Sequence, residues 1–168
     1  EGKIFPEGMW DQVVSAVTAL EKANGKRFGD RKKPLLVSCR SGAKFSMPGM
    51  MDTILNLGLN DQTARGLADL TGDGRFVYDS YRRLIQMFGS VVMGIPDAVF
   101  EDEMDRCRSR AGVLTDAELA ADDLKELTAA FKMIFRRHTT TPFPDDPFEQ
   151  LKLAVEAVFK SWNGKRAV

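Results

Sequence analysis

From Leu59 to the end of the chain, apolar residues recur at helical spacing and almost nowhere alternate as they do in a half-buried strand. That stretch can bury its apolar stripes only by packing helices on one another. Its punctuation supports this. Asn60-Asp61 can cap a helix that stops at Thr71-Gly72. Asp73 can cap the next, which carries Phe76, Val77, Tyr81, Leu84, Ile85, Phe88 and Val92 and breaks at Gly94 and Pro96. An acidic amphipathic segment runs from Asp97 to about Arg110. Thr115-Asp116-Ala117-Glu118 reads as a capping box and predicts a helix from there to about Arg137. Thr139 to Pro144 breaks helix. Asp146-Pro147-Phe148-Glu149 is a second box with proline at the first helical position, which predicts a helix to Trp162 with Asn163-Gly164 as its stop.

The first 59 residues have a different pattern. Glu7 to Asn24 predicts a helix with Trp10, Val13, Val14, Val17 and Leu20 on one face and Gly25 as its stop. Leu35-Leu36-Val37-Ser38-Cys39 predicts a short buried strand running into Arg40-Ser41-Gly42, and Thr53-Ile54-Leu55-Asn56-Leu57 a second. Between them Pro48-Gly49 signals a turn with positive φ at Gly49, so the two strands are expected to pair as an irregular hairpin. The expected class is α+β and helix-dominated: a small α/β portion over 1–59, then a helical subdomain of four or five helices over 60–168.

Composition removes several functions. Twenty-four Lys+Arg against 24 Asp+Glu leave no net charge, and so no global basic field for nucleic acid. The apolar runs are too short for a membrane span. Cys39 and Cys107 make neither a disulfide framework nor a zinc set, which reads as a reducing, cytoplasmic setting. The chain opens on Glu1-Gly2-Lys3 and closes on Lys165-Arg166-Ala167-Val168. Both ends read as cut, so a longer parent is expected.

Few residues stand out for chemistry. Arg40 directly follows a buried strand, where α/β folds place ligands, and its planar fork suits phosphate oxygens. Gly42 allows close backbone approach to an anion. In Ser46-Met47-Pro48-Gly49-Met50-Met51 the turn amides could form an anion nest, and methionines such as Met51 offer adaptable contacts. Arg82 and Arg83 sit mid-helix about 100° apart, so they cannot share one job. Each has a plainer reading: Arg40 as a surface arginine, the methionines as core, Arg83 as the i,i+4 partner of Asp79. His138 follows Arg136-Arg137 at a helix end, where a cation complements the dipole, and no ligand cluster surrounds it. Glu101, Asp102, Glu103 and Asp105, like Asp122-Asp123, read as solvated helix faces.

Longer strings add more. Leu35 to Lys44, followed by Ser46-Met47-Pro48-Gly49-Met50-Met51-Asp52 and on to Asp61, closely resembles the pyruvate phosphate dikinase family. So do Tyr78 to Met87, Pro147 to Leu151 and Val158-Phe159-Lys160-Ser161-Trp162, in family order. The resemblance implies part of an ATP-grasp domain. In that family this domain passes the β-phosphoryl group of ATP to a histidine on a swivelling domain, and inorganic phosphate takes the γ-phosphoryl. A barrel domain, through which the family dimerises, then converts pyruvate to phosphoenolpyruvate. Magnesium and a monovalent cation are required.

By the same resemblance Arg40 lies at the transferring phosphates and Arg83 contacts the terminal phosphate. Gly49 and Met51 lie in the loop whose backbone approaches them. Arg82 is left as a solvated helix arginine, and Arg40 and the Pro48-Gly49 loop are expected on one face. The family's Gly-rich lysine segment and its metal-holding carboxylates match nothing between Glu1 and Val168. This stretch is therefore expected to supply one wall of the site and to be inactive alone. Two alternatives stay open: a non-catalytic helical module that binds a protein, and a piece of a phosphoenolpyruvate synthase-type water dikinase.

Overall fold

The computed structural model describes residues 5–40 and 53–161. Helices dominate, as the periodicity requires. The order is α1 (Met9–Asn24), β1 (Arg27–Phe28), β2 (Pro34–Leu35), β3 (Val37–Arg40), β4 (Thr53–Leu57), α2 (Asp61–Thr71), α3 (Gly74–Met93) and α4 (Asp97–Ala111). A 3-10 turn (Asp116–Glu118), α5 (Ala121–Thr139) and α6 (Pro147–Ser161) complete it. The Ser46–Met51 loop with Gly49 and Met51, Gly42, Trp162 and the Asn163-Gly164 stop lie outside the described residues.

The strand expected over Leu35 to Cys39 divides in two. Pro34–Leu35 pairs in parallel with Arg27–Phe28, while Val37–Arg40 pairs antiparallel with Thr53–Leu57. Leu36 is the point where the backbone changes partner. The β3–β4 pair is irregular as expected, with a register shift between Val37 and Cys39. Gly58 then closes the junction at φ +105, and a Cβ there would lie 2.9 Å from both the Leu35 carbonyl oxygen and the Phe28 ring. Only glycine satisfies both the dihedral and the approach.

The caps act largely where the sequence placed them. The Asn60 side chain accepts from the Gln62 and Thr63 amides at 3.0 and 2.8 Å, and Asp73 accepts from the Phe76 amide at 2.9 Å. The Thr115 box is a correction. It forms, with the Thr115 amide donating to Glu118 at 2.8 Å, but closes only the 3-10 turn, and α5 starts afresh at Ala121. The Arg75 guanidinium takes the carbonyls of Asp116 and Leu119 at 2.9 and 3.0 Å, and Leu119 is buried. The Asp116 carbonyl also accepts from the Leu119 amide at 3.3 Å, and the turn ends there because Leu119 is extended, at φ −62 and ψ 132. Asp123 instead caps the Ala120 amide at 2.9 Å and begins α5.

α3 is the central rod. Its Tyr81, Leu84, Ile85 and Phe88 are fully buried against α5, α2 and β4. Phe143, from the stretch between α5 and α6, inserts between Phe88 and Phe135 at 5.4 and 5.5 Å between ring centroids. α6 packs across β3 and β4, so Ile54 and Leu57 share one core with the helices. Buried Gln150 fastens this junction. Its Oε1 accepts from the Gly58 amide at 2.9 Å, and its Nε2 donates to the Leu59 and Pro144 carbonyls at 2.9 and 2.8 Å. Among the described residues no helix is long and apolar enough to cross a membrane.

Candidate functional site

Arg40 is the last residue of β3, exposed, and paired with Thr53. Residues directly opposite in an antiparallel pair share a face, as do residues two apart along a strand. Arg40, Thr53 and Leu55 therefore belong to the outer face, while Cys39 pairs with fully buried Ile54 on the inner one. Burial raises the Cys39 thiol pKa, which leaves it a poor nucleophile.

Leu55 opens onto a cleft of about 520 Å³, whose other wall is the Arg82, Arg83, Gln86 and Met87 face of α3. Asp116 lies at its edge, and Glu101 of α4, which accepts a hydrogen bond from Gln86 Nε2 at 2.7 Å, lines it too. The outer strand face bearing Arg40 thus leads along β4 into the cleft bearing Arg83.

The two neighbouring arginines have opposite environments. Arg83 is 60% exposed, and its Nε–H donates to Asp79 Oδ2 at 2.9 Å, the i,i+4 pair that the spacing allowed. Arg82 is only 4% exposed, which corrects the expectation of a solvated arginine. Its Nε and Nη2 lie 2.8 and 2.7 Å from Asp79 Oδ1, and Nη2 donates to Asp116 Oδ2 at 3.2 Å. Asp116 in turn holds Arg108 of α4, which also pairs with Asp105. Leu84, Ile85 and Phe88 define the buried stripe, and Arg82 lies beside it under the 3-10 turn. The sequence reading paired Asp79 with Arg83 at i,i+4 and missed its i,i+3 pair with Arg82. The decisive partner, Asp116, is a tertiary neighbour that local spacing does not reveal.

Other residues singled out earlier lie away from this cleft. His138 is exposed in the last turn of α5. Glu103 pairs with Arg106 and Arg110, and Asp123 is a cap. A second polar knot joins α2, α3 and α5, where Asp61 accepts from Tyr81 Oη at 3.1 Å and from Lys132 Nζ at 2.7 Å. Burial works to raise the Asp61 carboxyl, but the hydrogen bond and charge of Lys132, with Tyr81, outweigh it and lower its pKa. Burial first, then the Asp61 charge, push the Tyr81 phenol far up, so it stays protonated. This knot is structural: it ties helices and opens on no strand end.

The family model described as "Pyruvate phosphate dikinase, AMP/ATP-binding domain" matches residues 2–168. The chain belongs to the pyruvate phosphate dikinase family. Its relatives include a protein named "Pyruvate, phosphate dikinase" from Giardia intestinalis, 54% identical over 97% of this chain and 18% of that protein. Its namesake from Clostridium symbiosum is 52% identical over 99% of this chain and 19% of its own length. "Pyruvate, phosphate dikinase 1, chloroplastic" from Arabidopsis thaliana is 52% identical over 99% and 17%. The chain thus spans less than a fifth of the dikinases it matches, within their AMP/ATP-binding domain. The cleft that holds Arg83 lies within the residues that the family model matches.

Proposed function

We propose that this chain forms one wall of the ATP-phosphate site in an ATP-grasp domain of a pyruvate phosphate dikinase. The parent would convert ATP, inorganic phosphate and pyruvate to AMP, diphosphate and phosphoenolpyruvate. The supporting observation is Arg83, held through Nε while neither terminal nitrogen has a protein partner among the described residues, in a cleft reached from the β-strand face that carries Arg40. Phosphoryl transfer needs little covalent help from a protein; it needs positioned positive charge on the transferring oxygens. In this reading Arg40 meets the transferring phosphates and Arg83 the terminal one, and the Gly49 and Met51 backbone closes over them. Residues 1–59 supply the strand and loop, and residues 60–168 the helical wall.

The phosphoryl acceptor is a histidine on a separate domain; His138, exposed at a helix end, is not that group. The described residues do not fit magnesium. Asp79 and Asp116 are committed to arginines, and no group of three potential ligands converges among them. In this reading, as the family resemblance implies, metal-holding carboxylates come from other segments of the parent, and no step here runs through the ion. A cytoplasmic setting and dimerisation through another domain complete the proposal.

The test is single-turnover phosphorylation of the acceptor histidine by ATP in the full-length enzyme. Arg40→Ala and Arg83→Ala should each slow it about a hundredfold or more, the loss of roughly 3–4 kcal/mol of transition-state stabilisation. Rates within twofold of wild type for both would remove the cleft from the site.

A further inference from the structure

We propose that Asp79 is a positioning residue that aims Arg83, with buried Arg82 as its anchor; this rests on the reading of Arg83 as a phosphate contact. The Asp79 carboxylate, 21% exposed, divides its two oxygens between adjacent arginines. Oδ1 faces Arg82 Nε and Nη2 at 2.8 and 2.7 Å, while Oδ2 accepts from Arg83 Nε at 2.9 Å. The inward arginine is fixed a second time by Asp116 at 3.2 Å. Asp79 therefore has little freedom, and it transmits that rigidity to an arginine that is otherwise exposed and mobile in its rotamers.

The choice of nitrogen matters. A guanidinium held at Nε keeps both terminal nitrogens for a bidentate grip on phosphate, the geometry that makes arginine effective there. The division of charge matters as well. Arg82 is nearly dry, where electrostatic interaction is strong, whereas Arg83 faces water, where it is screened. Asp79's charge is thus chiefly spent on Arg82. It orients Arg83 without cancelling the positive charge that a phosphate needs. This gives the Arg-Arg pair a division of labour: Arg82 locks the carboxylate, the carboxylate aims Arg83, and Arg83 meets the substrate.

The experiment uses the full-length enzyme, with single-turnover histidine phosphorylation by ATP and steady-state KM and kcat measured in Asp79→Asn, Arg83→Ala and the double variant. Asparagine keeps one oxygen for Arg82 but turns a donor toward Arg83 Nε–H, so the aim is lost. Asp79→Asn should slow phosphoryl transfer about tenfold, with the loss in kcat rather than in KM for ATP. Added to Arg83→Ala, it should change the rate less than twofold, because there is nothing left to aim. An equal loss in both backgrounds would make Asp79 merely structural and overturn the inference while leaving Arg83's role intact. A wild-type rate for Arg83→Ala would overturn the phosphate reading and this inference with it. Should Asp79→Asn fail to fold, Arg83→Lys asks the same question. Lysine keeps the charge but cannot give one nitrogen to Asp79 and two to phosphate, and a rate within twofold of wild type would again overturn the inference.

Discussion

Replacing Arg82 with alanine should be among the more damaging single changes on α3, although the residue is charged and its neighbour is exposed. The side chain is 5% exposed and meets two carboxylates, on Asp79 and Asp116. Removing one partner of a buried ion pair costs about 3–5 kcal/mol, because the remaining charge is left without compensation. Here Asp79 keeps the exposed Arg83 and Asp116 keeps Arg108, and both carboxylates reach some water, at 21% and 35% exposure. The lower part of that range applies, so about 3 kcal/mol is expected, or roughly 6–12 °C in Tm at 2–4 °C per kcal/mol for a domain of this size. Arg83→Ala breaks only an exposed i,i+4 pair and should cost under about 0.5 kcal/mol. Urea unfolding of the two variants beside wild type measures both values. Salt adds a second arm: ionic strength should weaken the Arg83 contribution and leave that of Arg82 nearly unchanged. An Arg82→Ala loss under about 1 kcal/mol, or equal losses for the two variants, would refute the assignment of Arg82 as structural anchor.

Gly58→Ala should lower stability by roughly 1–3 kcal/mol in thermal unfolding, since alanine would take both a positive φ and a clash with the Leu35 carbonyl. Gln150→Leu should cost about 3 kcal/mol, because the Gly58 amide and the Leu59 and Pro144 carbonyls lose their partner inside the core. The lowered Asp61 pKa stabilises the fold above the unfolded value near 3.8, and that contribution is lost as pH falls through the folded value. Lys132→Met should therefore flatten the acid limb of stability below about pH 4 in pH-dependent denaturation. The chain by itself should bind ATP more weakly than about 100 µM, roughly −5.5 kcal/mol, by calorimetry, because it supplies only one wall.

Features set by local physics were legible in the sequence. Asn60 and Asp73 cap helices because an Asx side chain reaches amides two or three residues ahead, whatever surrounds it. Thr53–Leu57 emerged at its expected bounds because β-branched and apolar residues lie between Asp52, after the Pro48-Gly49 turn signal, and Gly58. Tertiary competition was hidden. Thr115 and Glu118 form their box, yet Leu119 turns extended and buried, with its carbonyl and that of Asp116 bonded to Arg75, some forty residues earlier in the chain. Leu36 divides a strand because Arg27–Phe28 competes for its first half.

The same distinction governs the cleft. That Arg82 and Arg83 must diverge followed from the 100° per residue of an α-helix, but which one turns inward did not. Each could pair with Asp79, and Leu84, Ile85 and Phe88 fix the buried stripe without saying which flank a long side chain would follow. The outcome depends on Asp116, which the interrupted helix after Thr115 leaves on a 3-10 turn above α3. The Asp116 carbonyl accepts both from the Leu119 amide of that turn and from Arg75, and Leu119 beyond it is extended. The misread helix start and the misread arginine both involve Asp116, whose carbonyl meets Arg75 and whose carboxylate meets Arg82. The arginine that sequence strings matched to phosphate stays the exposed one, and its buried neighbour is what holds the carboxylate that aims it.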